Sequence, residues 1–310
     1  MNNIICIAGP TASGKTALAV ELAKELNGEV ISCDSMQIYK RMDIGTAKPT
    51  IEEMQGIPHH MLGVADPEED FSVSRYCEMA APILDDILAR GKTAIIAGGT
   101  GLYMDSLIRG NDFAPVPATG HREHLEEELL STGLDAMLAK LAAIDPEAAE
   151  RSQRNPRRII RALEVYCETG ETITAHNLKT QAIPPRYSPL WLGLDFDPRA
   201  LLYDRIDRRV TIMLEMGLEK EIRELLSSGL DPRCTALQAI GYKEFVAALE
   251  GRCTMEEAAD EVRKASRRYA KRQLTWFRRN KAMHWLTRRA DTTAEEIFEL
   301  AQQVIRNFDN

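Results

Sequence analysis

The sequence predicts an α/β fold: a P-loop doubly wound parallel sheet core, with a mainly helical insertion domain and a helical C-terminal part. Three observations carry that prediction. The stretch GPTASGKT (Gly9 to Thr16) stands between an apolar run and a helical pattern. Four segments are apolar throughout rather than alternating, which is how strands covered on both faces of a parallel sheet read. The strand–helix rhythm breaks once, between two boundaries rich in Pro and Gly.

Taken in order, NIICIA reads as the first strand, and Thr16 to Leu26 as a helix stopped near Asn27-Gly28. The loop between them meets the pattern G-x-x-x-x-G-K-[ST] through Gly9, Gly14, Lys15 and Thr16. Its glycines let successive backbone N–H groups face one anion, the helix N-terminus adds its positive end, and Lys15 adds a full charge. Thr16 offers a hydroxyl to Mg²⁺. The same motif serves ATP-binding proteins, so the loop alone does not say whether it holds ATP, GTP or another diphosphate. EVISCD (Glu29 to Asp34), KTAIIAGG (Lys92 to Gly99) and PLWLGLDF (Pro189 to Phe196) read as further strands, and Ser72 to Arg90 and Pro198 to Ser228 as helices. NDFAPVPATG and QAIPPRYSP bound the middle piece. The expected division is 1–112 as first part of the core, 113–186 as a helical insertion, and 187–310 as core completion, helical from Thr235 onward.

With 310 residues and 44% apolar content, the chain has ample material for a core. No apolar run approaches the roughly 20 residues that span a bilayer, and the N-terminus lacks the basic start and cleavage site of a secretory signal. A cytoplasmic protein with no membrane association is expected, acting as a monomer. The six cysteines include no C-x-x-C pair, which argues against both a zinc site and a disulfide framework. Net charge is −8, yet Arg263 to Arg289 holds eleven Lys or Arg and no acid, and Arg151 to Arg161 holds five arginines and no acid. Most charge runs are solvated helix faces. Here the interleaved Tyr269, Trp276, Phe277 and Trp285 favour nucleic-acid contact, with phosphate contacts made by chosen faces of an acidic protein.

Ligands in open parallel sheets sit beyond the carboxyl ends of the strands. Asp34 ends the second strand there, where it can hold Mg²⁺ through water, take a proton from a nucleophile, or simply cap the next turn. The third strand ends in AGGTGLY, without the Asp a P-loop NTPase commonly supplies for its Mg²⁺. His121 and His124 have no third ligand nearby and read as solvent-facing.

The stretches GPTASGKT, DSMQIYKRMDIGTAKP, PHHML, GGTGLY, NPRRIIRALEV, DRRVTIMLEMGL with its following EI, IGYKE and RRYAKRQLTWFR together resemble the tRNA dimethylallyltransferases, also called tRNA isopentenyltransferases, of bacterial type. The resemblance covers nearly the whole chain. It implies that Gly9, Pro10, Thr11, Ala12, Ser13, Gly14, Lys15 and Thr16 hold the diphosphate of dimethylallyl diphosphate, with Mg²⁺ at Thr16. It implies Asp34 as general base and Arg209 as a guanidinium on the same diphosphate; without the resemblance, Arg209 reads as an exposed helix arginine like Arg205 or Arg208. The acceptor implied is the exocyclic N6 of an adenosine next to the anticodon, flipped into a channel. Asp34, Ser35, Met36 and Gln37 match the segment that meets that nucleotide, and the Gln37 amide suits an adenine edge. Further tRNA contacts are implied at Thr100, Arg122, Arg157, Arg158, Arg161, Lys271, Arg272 and Arg278. Where the family often reads H-H-L-x-D, this chain has Gly63, so any role of that Asp is lost or moved to Asp66. The sequence shows no C-terminal zinc finger of the kind seen in eukaryotic relatives. A P-loop small-molecule kinase and a non-catalytic RNA-binding P-loop protein are the competing readings.

Overall fold

The computed structural model describes residues 3–110 and 119–308; the expected start of the insertion, at Phe113, lies outside the described residues. Two compact units form. One comprises Met1–Gly110 with Arg186–Asn310, the other Asn111–Pro185.

The first unit begins with β1 (Ile4–Ala8), α1 (Lys15–Glu25), β2 (Gly28–Cys33), α2 (Ile51–Met54), β3 (His59–His60), α3 (Val73–Ala89), β4 (Thr93–Gly98) and α4 (Gly101–Arg109). The second unit holds α5 (His121–Thr132), α6 (Leu134–Ile144), α7 (Pro146–Ser152), α8 (Pro156–Thr169) and α9 (Ile173–Ala182). The first then resumes with β5 (Leu190–Phe196), α10 (Ala200–Glu215), α11 (Leu218–Ser227), α12 (Lys243–Leu249), α13 (Met255–Phe277), β6 (Met283–Arg288) and α14 (Ala294–Phe308).

The sheet has six parallel strands in the order β3-β2-β4-β1-β5-β6. β1 and β2 are buried along their whole length, and β4 and β5 at all but two and one of their residues, as continuous apolar runs require. Ile5, Ile7, Val30, Ile95, Leu192 and Leu194 pack with Leu18 and Leu22 of α1 and with Ile297 of α14. On another side, Phe196, Leu202, Ile206, Ala270 and Leu274 join β5, α10 and α13. That packing brings α13, distant in sequence, to the carboxyl edge where β1, β2 and β4 end. The second unit is helical, around Leu125, Met137, Leu141, Ile159 and Leu163.

Two expectations are corrected here. The segment Pro198 to Ser228 is not one helix: Gly217 takes φ +95, a conformation only glycine adopts cheaply, and separates α10 from α11. The C-terminal part is not helical throughout, because MHWLTR forms β6 at a sheet edge. As an edge strand it buries only Met283 and Leu286, so it lacks the apolar run that marks the central strands.

Candidate active site

The phosphate loop follows β1 directly. Gly14 is left-handed at φ +93, and Ala12 reaches φ +63, so the chain reverses tightly before α1. No side chain caps α1, which leaves its first-turn N–H groups without an intrahelical partner and open to an anion. The loop's carbonyls are turned to cations instead: Lys15 Nζ donates to Pro10 O at 2.7 Å, and Arg205 Nε donates to Ala12 O at 2.8 Å. Arg209, on α10, lies with Nη1 3.4 Å from Thr11 Oγ1. Arg288, at the carboxyl end of β6, rests against the loop; a Cβ on Gly14 would stand 3.5 Å from its guanidinium.

These cations depress one another. Burial lowers Lys15 to about 8, with Asp34 opposing the shift and Arg209 adding to it. Burial also lowers Arg209, Arg205 and Arg288, and in each case a neighbouring arginine pushes further down. Among the described residues none of the four forms a salt bridge. A concentration of half-buried, unpaired positive charge is costly unless an anion completes it. Ser13, fully buried with its hydroxyl unpartnered, belongs to the same loop.

One loop donor differs from expectation. The Thr11 N–H is already given to Gln273 Oε1 at 2.9 Å, so it is not free for a ligand.

Asp34 stands one residue past β2. Its Oδ1 accepts from the N–H groups of Met36, at 2.9 Å, and Gln37, at 3.4 Å. The carboxylate therefore does cap the next turn, and it also lines both cavities described below. Thr100, after β4, accepts the Ser35 N–H at 3.0 Å and tethers that turn. Gln37 lines the cavity beside the phosphate loop, and its amide is engaged within the protein: its Nε2 donates to Thr46 O and Ala47 O, at 3.3 and 3.0 Å, and its Oε1 accepts from Ser32. These bonds fix the Thr46-Ala47 loop. Glu221 holds that loop from α11, accepting the N–H groups of Asp43, Ile44 and Gly45 and the Tyr242 hydroxyl. This explains why DIGT, EI and IGY recur as separate stretches of one site.

Two cavities meet at Asp34. One, of about 380 Å³, is lined by loop residues including Lys15 and Thr16, and by Ile212, Met213 and Met216. The other, of about 340 Å³, is lined by Ser35, Met36, Arg272 and the chain from Gln238 to Gly241. Thr11, Asp34, Arg209, Met213 and Tyr269 line both.

For Mg²⁺ the Thr16 hydroxyl and the Asp34 carboxylate are hard oxygen donors in one cavity; of the other carboxylates lining it, Asp43 pairs with Lys48 and Glu53 accepts the Thr50 N–H. No group of three His, Cys, Asp or Glu suited to a metal exists among the described residues. The set therefore fits Mg²⁺ only if diphosphate and water complete its octahedron, which is its usual mode.

The basic clusters are more neutral than their sequence suggests. On α13, Arg263, Arg267 and Arg268 pair with Asp260, Asp207 and Glu261, while Arg278 pairs with Asp195 at 2.6 Å. Lys271 and Arg272 are exposed without an ion pair, and Arg272 stacks over Tyr269. Of the interleaved aromatics, Phe277 is buried, Trp276 donates to Asp105 and Trp285 lies in the sheet, whereas Tyr269 lines both cavities. In the second unit, Arg151, Arg154 and Arg161 pair with Glu147, Asp135 and Glu164, whereas Arg157 and Arg158 are exposed and have no acid partner among the described residues. Arg122 pairs with Glu126. Asp66 is engaged by Lys40, and His60 by buried Glu29, both away from the cavities.

Among known proteins, the family model described as IPP transferase matches residues 37–280, and that described as isopentenyl transferase matches residues 2–64. The chain is 44% identical over 310 residues to a tRNA dimethylallyltransferase of Acetivibrio thermocellus, covering 99% of both. It is 47% identical over 285 residues to one from Thermoanaerobacter, covering 91% of this chain and 90% of that one. The solved tRNA isopentenylpyrophosphate transferase of Bacillus halodurans matches with TM-score 0.75 and 42% identity, over 100% of this chain and 97% of the other. A eukaryotic dimethylallyltransferase crystallised acting on tRNA matches with TM-score 0.83 and 30% identity, over 99% of this chain and 80% of that one.

Proposed function

This chain belongs to the IPP transferase family, and on that premise we propose that it moves the dimethylallyl group of dimethylallyl diphosphate onto N6 of the adenosine 3′-adjacent to the anticodon of tRNA, releasing diphosphate. It is a tRNA prenyltransferase. The observation that carries the finer reading is the pair of cavities that share Asp34, one lined by the phosphate loop and the other by Ser35, Met36 and Arg272.

In this reaction the C1–O bond of the donor breaks as the N6–C1 bond forms, and negative charge leaves with the diphosphate. Lys15, Arg209 and the first-turn amides of α1 neutralise that charge where it develops, which is the form of catalysis that fixed donors perform best. Arg205 and Arg288 add to the same field. Asp34 takes the proton released by N6, its own orientation held by the turn it caps and by Thr100 beneath Ser35. Mg²⁺, when bound at Thr16 and Asp34, would supply further neutralisation of the diphosphate. Ile212, Met213 and Met216 give the five-carbon chain an apolar wall. Lys271, Arg272, Arg157 and Arg158, exposed and without an acid partner among the described residues, would be the cations to meet tRNA phosphates.

The test is transfer of labelled dimethylallyl groups to unmodified tRNA by the wild type and by Asp34→Asn, with ATP supplied in a parallel reaction. Label in tRNA with the wild type and a loss of about 10²–10⁴-fold with the variant is the expected result. Consumption of ATP without prenylated tRNA would turn the reading toward a kinase.

A further inference from the structure

Gln273 is the buried polar residue on a helix otherwise known for its cations, at 4% exposure. Both halves of its amide are used. Oε1 accepts from Thr11 N–H at 2.9 Å, and Nε2 donates to Gly99 O at 3.0 Å. The fit on the Gly99 side leaves no room for a side chain, since a Cβ there would lie 2.1 Å from Nε2. Thr100, the next residue, holds the Ser35 N–H at 3.0 Å, and Ser35 adjoins Asp34. One amide from α13 thus ties the phosphate loop to the strand end that carries the acceptor-side turn.

We propose that Gln273 is a positioning residue, a strut that sets the phosphate loop against the Asp34 turn so that the leaving group and the base face each other at a fixed separation. The proposal rests on the transferase reading above. An amide is the group suited to this place: it offers an acceptor to Thr11 and a donor to Gly99 on one planar unit. A hydrocarbon of equal size would fill the space but leave both backbone groups unpaired. Displacements of about 1 Å in such a site cost on the order of 10²-fold in rate.

Gln273→Met keeps the length of the side chain and removes both hydrogen bonds. The expected result is a fall of about 100-fold in kcat/KM for prenyl transfer, with inorganic pyrophosphate bound more weakly and tRNA affinity unchanged by filter binding. Gln273→Glu supplies a signature that packing alone does not. Ionised, it accepts from Thr11 but sets oxygen against Gly99 O; protonated, it reproduces the amide's pattern. Its activity relative to the wild type should therefore rise as pH falls, measured well below the melting transitions of both proteins. Wild-type kcat/KM and wild-type pyrophosphate affinity in Gln273→Met would overturn the proposal, as would a loss matched entirely by unfolding in its melting curve. If the wild type binds pyrophosphate yet labels no tRNA, the transferase reading falls, and the pyrophosphate comparison still decides for or against the strut.

Discussion

The arginines around the phosphate loop and those on α8 and α13 are the same residue in opposite electrostatic situations. Arg209 and Arg288 are partly buried, Arg205 stands more exposed beside them, and none of the three has an ion pair among the described residues, whereas Arg161, Arg267 and Arg278 each hold a carboxylate. A surface pair is worth little and exists without a ligand. A desolvated cation beside another cation is unfavourable until an anion arrives. The difference teaches that the functional charge of this chain is where positive residues are left incomplete, not where they are most numerous.

The contrast can be broken most sharply at Lys15. Lys15→Ala removes a donor that the leaving group gains as charge develops, and kcat/KM for transfer should fall by about 10²–10³, the usual loss for one such group. A loss below tenfold in steady-state kinetics would mean that the loop does not carry the diphosphate.

The same residue predicts a pH dependence. Its pKa in the free protein is lowered to about 8 from an ordinary value of 10.5, chiefly by burial. Below 8 the ammonium is present and donor binds without proton uptake; above 8 binding must restore the proton, and affinity should fall by about tenfold per pH unit. In the ligand-free protein the sign is opposite. The cost of a buried ammonium is present in full below 8 and is relieved as pH rises from 8 toward 10.5, so stability should gain there from this group. Calorimetry of pyrophosphate binding across pH 7 to 9.5, with Lys15→Arg as the reference that stays charged, checks the first statement.

The smallest effect belongs to the outer faces. Arg157→Ala should weaken tRNA binding modestly and lower the slope of log affinity against log salt by about 1, while Arg151→Ala, whose charge Glu147 already holds, should change the slope less. Equal slopes for the two variants would remove the distinction between the paired cation of α7 and the unpaired one of α8.

Much of the fold was legible because its signals are local. The apolar runs of β1, β2, β4 and β5 and the loop pattern at Gly9 to Thr16 are each confined to a few residues. β3 and β6 were not legible: one has two residues, and the other is a half-exposed edge strand whose sequence lies within a cationic run. In the site, Asp34 and Lys15 could be found from their place after strands. Arg205 looked like an ordinary helix arginine because Ala12, the carbonyl it caps, is 193 positions away in sequence. Gln273 was hidden in the same way, between cations that drew attention to the outside of α13. The bonds from Gln37 to Thr46, Ala47 and Ser32 were not legible either, since an amide that suits a base edge suits backbone carbonyls and a hydroxyl equally.

The most direct test of the central claim is titration calorimetry of dimethylallyl diphosphate into the wild type, Arg209→Ala and Arg278→Ala, under one salt condition with Mg²⁺ present. The account predicts one site per chain, an affinity at least about tenfold weaker in Arg209→Ala, as loss of a charge-assisted contact implies, and wild-type affinity in Arg278→Ala. Equal affinity in all three proteins, or an equal loss in both variants, would contradict it.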